Sequence, residues 1–279
     1  MSLSKRILDL DAKHDFKPSS CIDELRQGKW CAIVLRGIYS NSEMEQVALR
    51  LEQIDARLWP DEPWVSMRFP EAFRGCFLGE NLNLLETSLS DYLDREPAFC
   101  RNMTRLFDGI PGGTGRVFSQ FSQLDQSRKY LAAPGPDFDT RYQYTTIRGH
   151  AQGGYIPIHC DNEQAWRPSY EHLLSLIEQN LFSFVLMISK PLGGGNLKIY
   201  SQRIPVSQRN TIEQTRHVST TDALLGDSVE IDLQPGDLVL ADSGMHPHEV
   251  TRVIGTKTRW TMCSFMARAQ AKHAVYCWG

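Results

Sequence analysis

The sequence predicts an α+β protein with a jelly-roll core, on three observations. Apolar residues recur at helical spacing in the first half, short β-rich runs crowd the second half, and turn residues rather than helices separate those runs. The chain has 279 residues, 41% of them hydrophobic, which suffices for one packed core. No linker divides it, since the turn-rich stretch 132–139 is too short to free two domains. We therefore expect one domain over 1–279. A strand and flanking helices occupy about 1–140, and the jelly roll carries the functional site over about 141–279.

Residues 30–35, WCAIVL, suit a buried strand, with Gly37 turning the chain after it. Ser42, with Glu45 three residues on, reads as a capping box for a helix from Glu43 to about Ile54. Its apolar face comprises Met44, Val47, Ala48, Leu51 and Ile54. Residues 82–107 read as helical with a break at Pro97, and 116–124 as a shorter helix. Residues 142–148 alternate as a strand, Gln152-Gly153-Gly154 turns the chain, and 155–159 reads as the hairpin partner. A helical insert is expected over 170–179. Strands are expected over 182–189, 196–201, 228–233, 238–241, 249–253 and 260–267.

Thirty basic and 33 acidic residues leave a net charge of −3, so no global field favours nucleic acid or a membrane surface. The longest apolar run, 181–188, is far short of a membrane span, and residues 1–16 lack a signal-peptide core. Seven cysteines, odd in number, widely spaced and without a CxxC pair, read as reduced thiols. These features point to a cytoplasmic protein acting on a small molecule and leave its oligomeric state open.

The chemistry begins at His159-Cys160-Asp161. Residues two apart on a strand share a face, so His159 and Asp161 can reach one ion while Cys160 points away. An imidazole and a carboxylate, joined by a distant histidine, make a facial triad suited to iron(II). His248 supplies that histidine. Arg259 follows it by eleven residues, and Thr261 lies two further on. A hairpin with His248 on its first strand and Arg259 on its second would bring both into one barrel interior. Arg259 could then fork a carboxylate through two N–H···O bonds, with the Thr261 hydroxyl adding a third.

This order of residues resembles that of the iron(II)/2-oxoglutarate-dependent oxygenases. The segments AIVLRGIYSNSEMEQVALRLE, TTIRGHAQGGYIPIHCDNE, GGGNLKIYS and PGDLVLADSGMHPHEV are similar to one small-molecule branch, as are the later VIG, RWTMCSF and VYCWG. That branch holds indole-alkaloid halogenases and N-acyl amino acid hydroxylases. The likeness runs from about residue 32 to the C-terminus and is weakest in the middle helices. It implies a double-stranded β-helix (jelly-roll, cupin-like) core with flanking helices. It also implies iron(II) on His159, Asp161 and His248, with 2-oxoglutarate and O2 as cosubstrates and succinate and CO2 as products. The halogenases of this branch carry glycine where this chain has Asp161, so the resemblance implies hydroxylation rather than halogenation.

Other readings use the same residues. His246 could replace His248, with Lys257 eleven residues on, but lysine offers a carboxylate only a point charge and Arg259 would fall where a hydroxyl is needed. Arg148, eleven residues before His159, is a candidate contact to cosubstrate or substrate. Trp166 and Arg167 are candidate substrate contacts, as an aromatic wall and a carboxylate anchor. The remaining histidines, among them His150, read as surface or helix residues. The triad is equally compatible with desaturation, cyclisation or epoxidation. A non-catalytic metal-binding jelly-roll sensor would have no need of Arg259 and Thr261.

Overall fold

The computed structural model describes residues 3–13, 19–53, 73–85, 88–161, 168–204, 226–271 and 273–279. The first half contributes β1 (Ile7–Asp11), α1 (Cys21–Arg26), β2 (Ala32–Arg36), α2 (Asn41–Glu52) and β3 (Gly75–Leu78). Three helices follow, α3 (Leu89–Asp94), α4 (Glu96–Leu106) and α5 (Gly115–Leu124), and then β4 (Lys129–Ala132). The second half begins with β5 (Thr146–His150), β6 (Ile156–His159) and the single turn of α6 (Glu171–Leu174). It continues with β7 (Phe182–Ser189), β8 (Leu197–Tyr200), β9 (Ser228–Ile231) and β10 (Leu238–Ala241). The last strands are β11 (His248–Val250), β12 (Arg259–Arg268) and β13 (Ala274–Trp278).

These strands form two sheets. The larger runs β1-β2-β10-β7-β12-β13-β4, with β5 paired to β12 and β3 to β5; the smaller runs β6-β11-β8-β9. Strand alternation decides what each face of the larger sheet touches. On β7, Phe182, Phe184, Leu186 and Ile188 face outward and pack on Met44, Val47 and Leu51 of α2, Met103 and Leu106 of α4, and Phe121 of α5. Val185 and Met187, between them, face inward against Leu197, Ile199 and Ile231 of the smaller sheet. The outcome is a double-stranded β-helix whose larger sheet is roofed by helices, as the sequence implies.

The local differences have physical causes. The capping box forms two residues earlier than expected. The Ser40 hydroxyl accepts the Glu43 N–H, and the Glu43 carboxylate accepts the Ser40 N–H, so α2 starts at Asn41. Pro97 sits in the first turn of α4 and opens that helix, a place where its missing N–H costs nothing. The expected insert over 170–179 shortens to a 3-10 turn and α6.

The expected hairpin of 142–148 with 155–159 does not form. β5 pairs with β3 and β12, whereas β6 crosses to the other sheet and pairs with β11. Nor do β11 and β12 form a hairpin, because they too lie in opposite sheets. Here β5, β6 and β7 alternate between the sheets, as do β10, β11 and β12, and a glycine turn alone does not distinguish such a crossing from a hairpin. Four strands went unread in the sequence: β1, β3, β4 and β13. Ile54, which was expected to end α2, lies outside the described residues. No helix among the described residues is long and apolar enough to cross a membrane, and all seven cysteines are free.

Candidate metal centre

β6 ends at His159, β11 begins at His248, and antiparallel pairing sets the two directly opposite one another. Opposite residues project from the same face of a sheet, so their rings stand together, centroids 4.3 Å apart. Asp161 joins them where the chain leaves β6, its backbone N–H donating to the Ser243 carbonyl at 3.0 Å. Asp161 Oδ1 then lies 3.5 Å from His159 Nε2 and 3.7 Å from His248 Nε2. One ligand atom from each of the three falls within 4.8 Å of the others. Cys160, between His159 and Asp161 in the sequence, is buried.

Hydrogen bonds fix which ring nitrogens face the site. His159 Nδ1 lies 2.7 Å from the Pro157 carbonyl and His248 Nδ1 lies 3.0 Å from the His246 carbonyl. A carbonyl only accepts, so each Nδ1 carries a proton, which leaves each Nε2 as the ring atom turned toward the site. Burial, reinforced by His159, pushes the His248 pKa down to about 4, which keeps the ring neutral near pH 7. Burial alone would raise the pKa of Asp161. The neighbouring His248 and His159 outweigh it and hold the carboxyl well below the usual range. Near pH 7 the neutral His248 ring and the Asp161 carboxylate therefore face one another with no proton on Nε2 of His248 to share, and Nε2 of His159 stands beside them. Asp161 Oδ2 is buried without a well-aligned hydrogen bond, although the Ser243 hydroxyl lies beside the carboxylate. Such a set is repulsive until a cation enters, and two imidazoles with one carboxylate suit iron(II) and leave coordination positions open. The residues present fit the metal.

Inside the sandwich, Arg259 is 2% exposed and Thr261 fully buried. Arg259 Nε donates to the Gly195 carbonyl at 2.6 Å, and Nη1 donates to the Thr261 hydroxyl at 3.3 Å. Burial lowers its pKa to about 10, with Arg148 adding to the shift. Among the described residues no carboxylate lies within ion-pair distance of it. Arg148 stands opposite Thr261 on β5 and lines a cavity shared with His159, Asp161 and His248. Its guanidinium lies 5.4 Å from the rings of both Phe77 and Phe265, a flanking that steadies a cation without neutralising it.

The remaining expectations divide. Trp166 and Arg167 lie outside the described residues. Lys257 is exposed beside α2 and cannot serve the His246 alternative. His246 itself sits in the turn ahead of His248, nearly fully buried. His150, expected on the surface or in a helix, is instead fully buried on β5, opposite Arg259 in the register. Sequence reasoning missed the Gly195 carbonyl that seats Arg259. The run Gly193-Gly194-Gly195 was its signal: Gly195 has φ +67°, and a Cβ there would lie 2.8 Å from Arg259 Cδ.

Among solved structures, the chain is similar to a novel N-substituted L-amino acid dioxygenase from Burkholderia ambifaria AMMD in complex with alpha-KG. The identity is 16%, the match covers 93% of this chain and 90% of that one, and the TM-score is 0.55. A second structure of that dioxygenase gives 16% identity, coverage of 94% and 92%, and a TM-score of 0.54. At this identity the likeness is one of fold. No curated protein matches the chain. The family model described as carrier-protein-independent halogenase WelO5 matches residues 4–279. The chain belongs to that family, within the iron(II)/2-oxoglutarate-dependent oxygenases.

Proposed function

We propose that this enzyme hydroxylates an unactivated C–H bond of a small molecule, converting 2-oxoglutarate and O2 to succinate and CO2. His159, Asp161 and His248 would hold the iron(II). The carrying observation is Asp161, whose carboxylate faces both imidazoles where the halogenating members of the family are expected to have glycine. With that carboxylate as third ligand, no protein position is vacated for chloride. Bound iron(II) supplies the activation of O2.

The protein's own residues do the rest. Arg259 and Thr261 receive the distal carboxylate of 2-oxoglutarate, giving the buried guanidinium the counter-charge it otherwise lacks. Arg148 adds a second cation for the dianion. The apolar lining, including Val185 and Leu197, limits water around the reacting carbon. An amino-acid derivative such as an N-acyl amino acid is our reading of the substrate, because its carboxylate suits the positive charge of this cavity.

Adding 2-oxoglutarate to the anaerobic iron(II) protein should raise the metal-to-ligand charge-transfer band expected of this family, and air should then yield succinate. Asp161→Ala should lose both, and Asp161→Gly should end hydroxylation. Succinate formation by the metal-free protein, or by Asp161→Ala at the wild-type rate, would refute the assignment. Desaturation, cyclisation and epoxidation diverge after the same C–H is attacked, and product mass separates them from hydroxylation. A sensor would bind the metal without forming succinate.

A further inference from the structure

We propose that His246 is a positioning residue for the metal centre: its side chain pins the turn that mounts two of the three ligands. The inference rests on reading His159, Asp161 and His248 as a metal site. The turn folds back on Asp242, whose carbonyl accepts the N–H groups of Met245 at 3.0 Å and His246 at 2.9 Å. From this turn the Ser243 carbonyl accepts the Asp161 N–H, and the His246 carbonyl accepts the His248 ring N–H. One short segment thus sets both where Asp161 leaves its strand and how the His248 ring is rotated.

The ring of His246 fastens that segment on two sides. Nδ1 lies 2.9 Å from the Tyr200 carbonyl, while the Tyr200 N–H donates to the Pro247 carbonyl at 2.9 Å, so the turn is tied to β8 at both ends of one residue. Nε2 lies 3.4 Å from Arg6 Nη2. Arginine can only donate, so Nε2 must accept and Nδ1 must carry the proton that Tyr200 receives. Arg6, immediately ahead of β1, thereby selects the tautomer that clamps the turn. Arg6 is itself held by a hydrogen bond to the Gly28 carbonyl at 2.9 Å. The His246 backbone carbonyl behind the His248 ring acts on the metal through ring orientation; losing such a partner outright weakens metal binding by roughly 10- to 100-fold, and releasing the turn that holds it moves binding toward that range.

Cobalt(II) is a suitable probe, since its visible bands report ligand geometry. Metal-free wild-type, His246→Leu, His246→Asn and Arg6→Met proteins would be titrated with Co(II), with melting curves recorded on the same metal-free samples. We expect His246→Leu to weaken Co(II) binding roughly tenfold, the lower end of that range because the His246 carbonyl itself remains, and to change the band shape. His246→Asn, whose amide N–H can replace Nδ1–H toward Tyr200, should recover most of both. Arg6→Met should weaken binding roughly three- to tenfold, the scale of one lost hydrogen bond. A merely structural role would lower the melting temperatures without moving the affinity or spectrum of the folded fraction. The inference is overturned if His246→Leu folds and binds Co(II) within twofold of wild type with the same bands. Should His246→Leu fail to fold, Arg6→Met binding within twofold of wild type overturns it equally. Failure of the metal reading itself looks different, because Asp161→Ala would then bind Co(II) as tightly as wild type.

Discussion

Replacing Arg259 by methionine should have opposite effects on the empty protein and on cosubstrate binding. The guanidinium is buried, without a carboxylate partner among the described residues, and burial brings its pKa down from the usual arginine range to about 10. The sign follows from linkage. A cation whose folded pKa lies below its unfolded value destabilises the fold at every pH where the unfolded chain still holds the proton, which includes neutrality. At about 1.4 kcal/mol for each pKa unit, the charged group costs the empty protein on the order of 3 kcal/mol. Methionine is of similar length and removes that cost. It also removes the bond to the Gly195 carbonyl, worth about 1 kcal/mol. The metal-free, ligand-free variant should therefore melt no lower than wild type, and by this balance a few degrees higher.

Cosubstrate affinity should move the other way. Truncating one member of a buried, hydrogen-bonded charge pair costs about 2–5 kcal/mol. That corresponds to 2-oxoglutarate binding roughly thirty- to several-thousand-fold more weakly. Calorimetric titration of 2-oxoglutarate into the Mn(II)-loaded protein, alongside melting of the empty protein, measures both quantities. A variant that melts several degrees lower yet binds 2-oxoglutarate within threefold of wild type would refute the reasoning and make Arg259 a structural residue.

Three further outcomes follow from the same geometry. Gly195→Ala should weaken 2-oxoglutarate binding by roughly ten- to a hundredfold while leaving Co(II) affinity unchanged, because its methyl displaces Arg259 and not the triad; equal loss of both would contradict this. Asp242 has its pKa raised to about 7 by burial, against the opposing pull of Arg203. Its contribution therefore turns unfavourable as pH rises from about 4 through 7, by up to roughly 4 kcal/mol at pH 8, so Asp242→Asn should gain on wild type in melting temperature between pH 5 and pH 8. A constant difference across that range would rule it out. His248, held neutral down to about 4, makes the metal-free fold lose stability as pH falls from 6.5 to 4, by about 3 kcal/mol. His248→Gln in a chelator should flatten that slope, and an unflattened slope would count against the burial argument.

How much of this was legible in the sequence depended on the range of the interaction. Met44, Val47 and Leu51 announce the buried face of α2, and the run 182–189 announces β7 to the residue, because each is a local periodicity. His159, Asp161, His248, Arg259 and Thr261 were all readable as residue types at set spacings. Their arrangement was not. The expected His248–Arg259 hairpin is replaced by two strands in facing sheets, and the two residues reach the same interior from opposite sides. Strands β1 and β4 escaped because each pairs in parallel with a partner distant in sequence, β2 and β13 respectively, and no turn advertises it. Arg6 could not be read as a neighbour of His246, since 240 residues separate them.

The charge inside the sandwich bears on the substrate itself. Arg148 lining the cavity, the buried Arg259 beside Thr261, and a divalent ion would bring four positive charges into the sandwich interior, and Asp161 cancels one of them. The 2-oxoglutarate dianion cancels two more, so one positive charge remains when the cosubstrate is bound. An uncompensated charge in such surroundings is costly, and a substrate carboxylate placed there would be bound the more strongly for it. An N-acyl amino acid has that carboxylate, and the corresponding amide has the same shape without it. Succinate release should therefore be at least roughly tenfold more efficient, in kcat/KM, with the acid than with its amide, a ratio corresponding to about 1.4 kcal/mol. The difference should shrink in high salt only slightly, because a buried pair is poorly screened. If amides and acids of one series release succinate equally well, the residual charge is neutralised by the protein, and the preference for an anionic substrate fails while the metal and 2-oxoglutarate assignments stand.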